Sequence, residues 1–330
     1  MSRLLDVREL TVRYATPAAT FTAVDRVSFH IDRGEVLALI GESGCGKTSL
    51  GKALVGLQQV QEGDIHFRDT NLAALSPRQL RPLRRAIQMV FQDPLSALDP
   101  RQRAVNAVDL PLSLHSGLSR QARREKAARL FNDVGLDSAL MDRFPHQLSG
   151  GQRQRLNIAR ALAPEPALIV CDEPVSALDV SLQKQIVDLL QALQQQTGVS
   201  ILFISHDISV VERIATRIAV MYAGHIVEVL PRENMWSHAA HPYTRLLLST
   251  IPGVSPDRRR LRQAPPDEES PVNPYEISQG CRFQQRCPNV QADCRTQTPV
   301  LSRQRDGHSV ACHHPHLPAE PSLIIRRAIS

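Results

Sequence analysis

A chain of 330 residues, 42% hydrophobic and 22% charged, has ample material for a buried core, which excludes wholesale disorder. Its formal charge of +6 suits a phosphate-bearing ligand, a nucleic acid or an anionic membrane surface, and singles out none of them. The opening MSRLLDVRELTVRY has no apolar run after its early arginine, and no window approaches the roughly 18 apolar residues of a membrane span. The expectation is a cytosolic chain that meets a membrane only through a partner.

In chain order, LDVRELTVRY predicts an antiparallel strand. VLALI, LIVC and SILFIS are short, nearly all-apolar runs, the pattern of a mainly parallel sheet covered on both faces. SRQARREKAARLFNDV, Ser119 to Val134, predicts a charged and mostly exposed helix. SLQKQIVDLLQALQQQ, Ser181 to Gln196, places Ile186, Leu189, Leu190 and Leu193 at helical spacing and ends at Gly198. Near Ile251 the composition shifts. Eleven of the 23 prolines lie from Pro252 onward, beside the basic run RRRLR, so a linker is expected there and a small cysteine-bearing region after it. The expected division is 1–253 and 254–330. No internal repeat is visible.

GESGCGKT, Gly41 to Thr48, follows the strand VLALI and precedes the helix-like SLGKALVGL. That is the context a phosphate-binding loop requires. Glycines let the backbone N–H groups of Gly41, Glu42, Ser43, Gly44, Cys45 and Gly46 turn toward phosphate oxygens. The helix that follows, with Ser49 at its head, adds its positive end. Lys47 would reach the β- and γ-phosphates, and the Thr48 hydroxyl would ligate Mg²⁺. A second apolar strand, ALIVCDEP, ends in Asp172 and Glu173. A carboxylate at a strand end suits Mg²⁺, which wants oxygen ligands. Glu173 is then placed to orient or deprotonate a water for attack on a γ-phosphate.

LSGGQRQRLNIARAL, Leu148 to Leu162, resembles the signature motif of ABC-type ATPases. MVFQDP with Gln92 resembles that family's Q-loop, SALD at Ser176 to Asp179 its D-loop, and ISHD with His206 its switch histidine. Tyr14 stands where the family has an aromatic on adenine, with Phe21 as a rival. The resemblance implies an α/β ABC-type P-loop ATPase with a mainly parallel core sheet, an antiparallel β subdomain, a helical signature subdomain and a small Cys-rich C-terminal extension. It also implies that Ser149, Gly150, Gly151 and Gln152 reach ATP held by a partner subunit. Gln92 would sense Mg²⁺ and His206 the γ-phosphate.

FQDPLSALDPR, HAAHPYTRLLLSTIPG and the tail cysteines resemble the dipeptide/oligopeptide/nickel importer subfamily. That resemblance implies a related ATPase subunit or a second copy as partner. It also implies two membrane permeases, an extracytoplasmic solute-binding protein, and a peripheral place on the cytoplasmic face of the membrane. Peptides are the default solute, with nickel or another metal chelate as the alternative. A nucleic-acid-linked ABC ATPase is the reading from another class; no stacking platform of aromatic and basic residues supports it.

Cys281, Cys287, Cys294 and Cys312 are separated by five, six and seventeen residues. This matches neither C-x₂-C zinc knuckles nor ferredoxin spacing. Four thiolates permit tetrahedral Zn²⁺ or an iron–sulfur cluster; the subfamily resemblance favours [4Fe–4S]. With little apolar core expected in the tail, a metal anchor would supply folding energy. His308, His313 and His314 are read as solvated loop residues able to substitute as ligands. Cys45 is read as incidental packing in the phosphate loop, with an exposure near the nucleotide that leaves it open to thiol reagents.

Overall fold

The computed structural model describes residues 2–15, 20–251, 279–305 and 307–316. The linker expected after Ile251, with its RRRLR run, lies outside the described residues. The strands are β1 (Arg3–Ala15), β2 (Thr20–Asp32), β3 (Val36–Ile40), β4 (Glu62–Phe67), β5 (Thr70–Asn71), β6 (Ile87–Val90), β7 (Leu168–Asp172), β8 (Ser200–Ile204), β9 (Arg217–Tyr222), β10 (His225–Pro231), β11 (Ser302–Arg305) and β12 (His308–Val310). The helices are α1 (Lys47–Leu54), α2 (Pro77–Leu83), α3 (Ala104–His115), α4 (Arg120–Asp133), α5 (Gly150–Leu162), α6 (Val180–Thr197), α7 (Ile208–Ile214), α8 (Met235–His238), α9 (Pro242–Ser249) and α10 (Ala292–Thr296).

Two sheets form. One is antiparallel, in the order β2-β1-β4-β5. The other runs β11-β12-β10-β9-β3-β8-β7-β6, and its β9-β3-β8-β7-β6 portion is parallel. The period of two along each strand decides what covers this sheet. Val36, Ala38 and Ile40 join Ile169, Cys171, Ile201 and Phe203 in one core, together with residues of α3 to α7. Leu37 and Leu39 join Leu168, Val170, Leu202 and Ile204 in a second core, against α1 and the antiparallel sheet. Both faces are dry, as the apolar runs predict.

The helices follow their sequence signals. Ser119 caps α4, its Oγ accepting from the Ala122 N–H at 3.3 Å, and only Ala127 and Phe131 of that helix are buried. Asp179 caps α6, and Gly198 closes it with a left-handed φ of 69°. Its buried face is Ile186, Val187, Leu190 and Leu193, with Leu189 at the margin.

The tail does not stand apart from the core. β12 pairs with β10 (Glu228 opposite Val310), and β11 pairs with β12, so the extension lengthens the main sheet. Phe283 is 1% exposed, packed among the rings of Tyr222, Tyr243 and His241. The tail therefore borrows the parent core, which corrects the expectation that it has almost none. His308 is also not solvated. It is buried, with Nε2 2.8 Å from Glu228, whose carboxylate also accepts from the N–H groups of Ala240 and His241. A carboxylate taken fully out of water needs such partners.

Phe283→Ala should lower unfolding stability by about 3–5 kcal/mol, the range for emptying a buried aromatic site. Denaturant unfolding followed by the fluorescence of Trp236 measures it. A loss below about 1 kcal/mol would mean that the tail's docking contributes little.

Candidate nucleotide site

Parallel strands point their carboxyl ends to one edge, and in such sheets ligands bind outside that edge. The motifs sit there because each follows an adjacent strand directly. Gly41 follows β3, His206 lies just past β8, Asp172 ends β7, and Gln92 lies just past β6.

The phosphate loop is shaped by close approach. A Cβ on Gly46, at φ 108°, would stand 2.1 Å from the Ala23 carbonyl oxygen. A Cβ on Gly41 would stand 2.1 Å from the Met221 oxygen. The loop can lie this tightly between β2 and β9 only without side chains at those positions. Lys47 is buried, and its Nζ donates to the carbonyls of Gly41 and Glu42, both at 2.8 Å. The Gly224 N–H donates to the Cys45 carbonyl at 3.0 Å, so the β9–β10 turn braces the loop from beneath.

Next to it, the Thr48 hydroxyl donates to Asp172 Oδ1 at 3.0 Å. Asp172 is 3% exposed, and burial raises its carboxyl above the usual range against the lowering pull of that hydroxyl. A partly buried pair of hard oxygen donors fits a divalent cation, which would favour the ionised carboxylate. Glu173 holds a left-handed backbone at φ 45°, uncommon for a residue with a side chain. Its N–H donates to the Ile204 carbonyl at 3.0 Å, which fixes the turn. The carboxylate is bracketed: Gln92 Nε2 donates to Oε2 at 3.2 Å, and His206 Nδ1 lies 3.2 Å from Oε1. The structure thus brings Thr48 to Asp172, and Gln92 and His206 to Glu173.

Tyr14, opposite Phe21 in register, donates from its hydroxyl to Ser49 Oγ at 3.0 Å, so its ring stands beside the first turn of α1. Ser149 caps α5 with Gln152 in a reciprocal box: Ser149 Oγ accepts from the Gln152 N–H, and the Ser149 N–H donates to Gln152 Oε1. Gly150 and Gly151 let this helix start pack on Leu178 and Leu182, at the D-loop and α6. Among the described residues, no hydrogen bond or ion pair joins Ser149, Gly150, Gly151 or Gln152 to the phosphate loop.

Cys45 is packed as expected but departs from the expected exposure. It is buried, desolvation raises its thiol, and its sulfur lies 3.7 Å from Lys47 Nζ. Reaction with thiol reagents is therefore disfavoured in the folded protein. Cys171 is likewise buried, its thiol pushed up to about 12 by desolvation.

The four tail cysteines line one cavity with Phe283, His313 and His314. All are free thiols. Burial raises Cys281, Cys287 and Cys312, the last to about 11. Their mutual repulsion as thiolates adds to the rise. Among the described residues, Asp293, Cys294 and His314 are the one trio whose ligand atoms all lie within 4.8 Å of one another. His314 bonds Asp293 at 2.9 Å, and His313 Nε2 lies 2.9 Å from the Gln297 oxygen.

The sequence reading missed two residues at this site. The Tyr243 hydroxyl accepts from the Glu42 N–H at 3.0 Å, and the Arg286 guanidinium grips the Glu42 carboxylate. Both belong to stretches noted only for resemblance, and no spacing rule links either to residue 42.

No helix among the described residues is long and apolar enough to cross a membrane. A model of the family described as ABC transporter matches residues 24–176, and one described as oligopeptide/dipeptide transporter, C-terminal region, matches residues 227–294. The chain is 46% identical over 319 residues to the probable peptide ABC transporter ATP-binding protein y4tS of Sinorhizobium fredii, covering 94% of this chain and 89% of that one. It is 41% identical over 322 residues to the oligopeptide transport ATP-binding protein OppF of Escherichia coli, covering 94% and 95%. Among solved structures, the dimeric post-hydrolysis state of the ATP-binding cassette MJ0796 bound to ADP and Pi aligns with a TM-score of 0.64 and 29% identity, covering 69% of this chain and 98% of that one. The ordered motifs, the bracketed carboxylate and these likenesses agree: this chain belongs to the ABC transporter family, among its ATP-hydrolysing subunits that carry the oligopeptide/dipeptide transporter C-terminal region.

Proposed function

We propose that this chain energises import of dipeptides or oligopeptides, as half of an ATPase dimer held by two permeases on the cytoplasmic face of a membrane. The observation that carries the hydrolytic role is Glu173, held between Gln92 and His206 one residue beyond the Asp172–Thr48 pair. The peptide assignment is supported by the match of the C-terminal region and by relatives named for peptide transport.

In this reading Tyr14 stacks on adenine, and the loop from Gly41 to Ser49 wraps the phosphates. Lys47 exchanges its two loop carbonyls for phosphate oxygens. Thr48, Asp172 and Gln92 supply oxygen ligands for Mg²⁺, which neutralises phosphate charge when bound. Glu173 orients a water and accepts its proton, while His206 donates toward the γ-phosphate. Ser149, Gly150, Gly151 and Gln152 act on ATP of the partner subunit, either a sister ATPase or a second copy. Their placement on the D-loop, unconnected to this chain's own phosphate loop, supports that division. A groove of about 370 Å³ runs along α3, lined by Ala97, Leu98, Leu110, Pro111 and Leu114. Leu110 and Leu114 are about half exposed there, and Asp99, Gln102, Arg103 and Arg160 line the same groove, so it suits a permease element of mixed apolar and polar character beside the Q-loop.

The four cysteines are proposed to hold an iron–sulfur cluster of [4Fe–4S] type. What supports a shared group is that all four cysteines line one cavity and none is in a disulfide. The division at 253/254 is proposed as a boundary between sequence modules whose described parts share one sheet.

Glu173→Gln should bind ATP with near-parental affinity while hydrolysis falls about 10²–10⁴-fold, the range for removing a general base. Lys47→Ala should abolish productive ATP binding. Steady-state hydrolysis and equilibrium binding measure both, and normal turnover in either variant refutes the roles. Anaerobically purified protein should carry about four irons and four sulfides per chain and absorb in the visible. A colourless protein with one zinc would instead make the tail a structural knot.

A further inference from the structure

A loop built to attract phosphate carries a carboxylate at its second position, Glu42, and like charge there opposes the ligand. The structure answers this from 244 residues away. Arg286 Nη1 and Nη2 donate to Glu42 Oε2 and Oε1 at 2.9 and 3.0 Å, a two-pronged pair. The guanidinium also lies over the rings of Tyr222 and Phe283, at 5.9 and 5.8 Å from their centroids. Its backbone is set by the turn that joins two of the tail cysteines. There the Arg286 N–H donates to the Phe283 carbonyl, and the Gln284 N–H to that of Cys281. A second arm runs parallel. Arg282 bonds Asp25 at 2.9 Å, and the Asp25 N–H donates to the carbonyl of Gly224, the residue that braces Cys45.

We propose that the C-terminal extension completes the nucleotide site, with Arg286 as a positioning residue that pins and neutralises Glu42 so that the phosphate loop accepts ATP. The proposal rests on the assignment of ATP to residues 41–49. It adds that the extension sets ATP affinity through charge, over and above holding the fold together. Glu42 is nearly half exposed and Arg286 about a quarter, so the effect is that of a partly screened pair.

The test is Mg²⁺–ATP binding and steady-state hydrolysis by the full chain with Arg286→Gln, Arg286→Met, Arg286→Lys, Glu42→Gln and the double variant Glu42→Gln/Arg286→Gln. Arg286→Met keeps an apolar stem over the two rings and guards against loss of packing. Arg286→Gln and Arg286→Met should each raise the Kd and KM for ATP about three- to fivefold at low salt, with kcat changed less than about twofold. The defect should shrink at high salt. Arg286→Lys should restore most of the affinity. Adding Glu42→Gln to Arg286→Gln should restore it as well, because the unpaired carboxylate is then gone. A role in folding alone predicts no such rescue. ATP affinity within twofold of the parent in both charge-free variants overturns the proposal, as does the same loss in the Glu42→Gln background. If the parent itself binds no ATP, the nucleotide assignment falls instead.

Discussion

The rest of the molecule depends on five parallel strands buried on both faces. Because neither face can meet water, polar groups are pushed to the strand ends, and parallel pairing collects the carboxyl ends at one edge. Four chemically different segments, ending at Gly41, Gln92, Asp172 and His206, arrive there without any direct affinity for one another. Their contacts, such as Thr48 with Asp172 and Gln92 with Glu173, follow from the strand order β3-β8-β7-β6.

The site combines two kinds of restraint. The phosphate loop is held by steric exclusion: Gly41 and Gly46 lie where a methyl group would overlap the carbonyls of Met221 and Ala23. The carboxylates are held by hydrogen bonds in a partly dry setting, where each interaction is stronger than in water. Asp172 shows the cost of that setting in its raised carboxyl, and a bound cation would reverse the rise. Glu173 shows it in a left-handed backbone that only the surrounding turn maintains. Strain and desolvation fall on the two residues read as handling metal and water, where pre-organisation matters most.

The extension contributes at two levels. Phe283, the β10–β12 pairing and the Glu228–His308 pair make it part of the core. Arg286 and Arg282 then reach back to the phosphate loop and to β2. The cysteine cavity is lined by Phe283 and His241 as well, so the four thiols are mechanically close to the nucleotide site. Such closeness arises because the tail docks on β10, which pairs with β9, the strand next to β3.

Much was legible in the sequence alone. Apolar runs of strand length, the helices at 119–134 and 181–196, the phosphate loop and the order of the motifs are local patterns. Local patterns follow from side-chain period, capping and glycine, and these need no knowledge of distant residues. They determined a mainly parallel sheet covered on both faces and singled out Lys47, Thr48, Asp172 and Glu173, while Gln92, His206 and the ABC-type fold followed from the resemblance of the ordered motifs to that family. Tertiary structure alone decided the rest. It buried Cys45 beneath its own loop, tied His308 to Glu228, moved the tail into the main sheet, and brought Tyr243 and Arg286 to Glu42. Each is a contact between segments far apart in the chain. Burial and charge pairing across such distances depend on where the sheet places the segments, and no spacing along the chain encodes that placement.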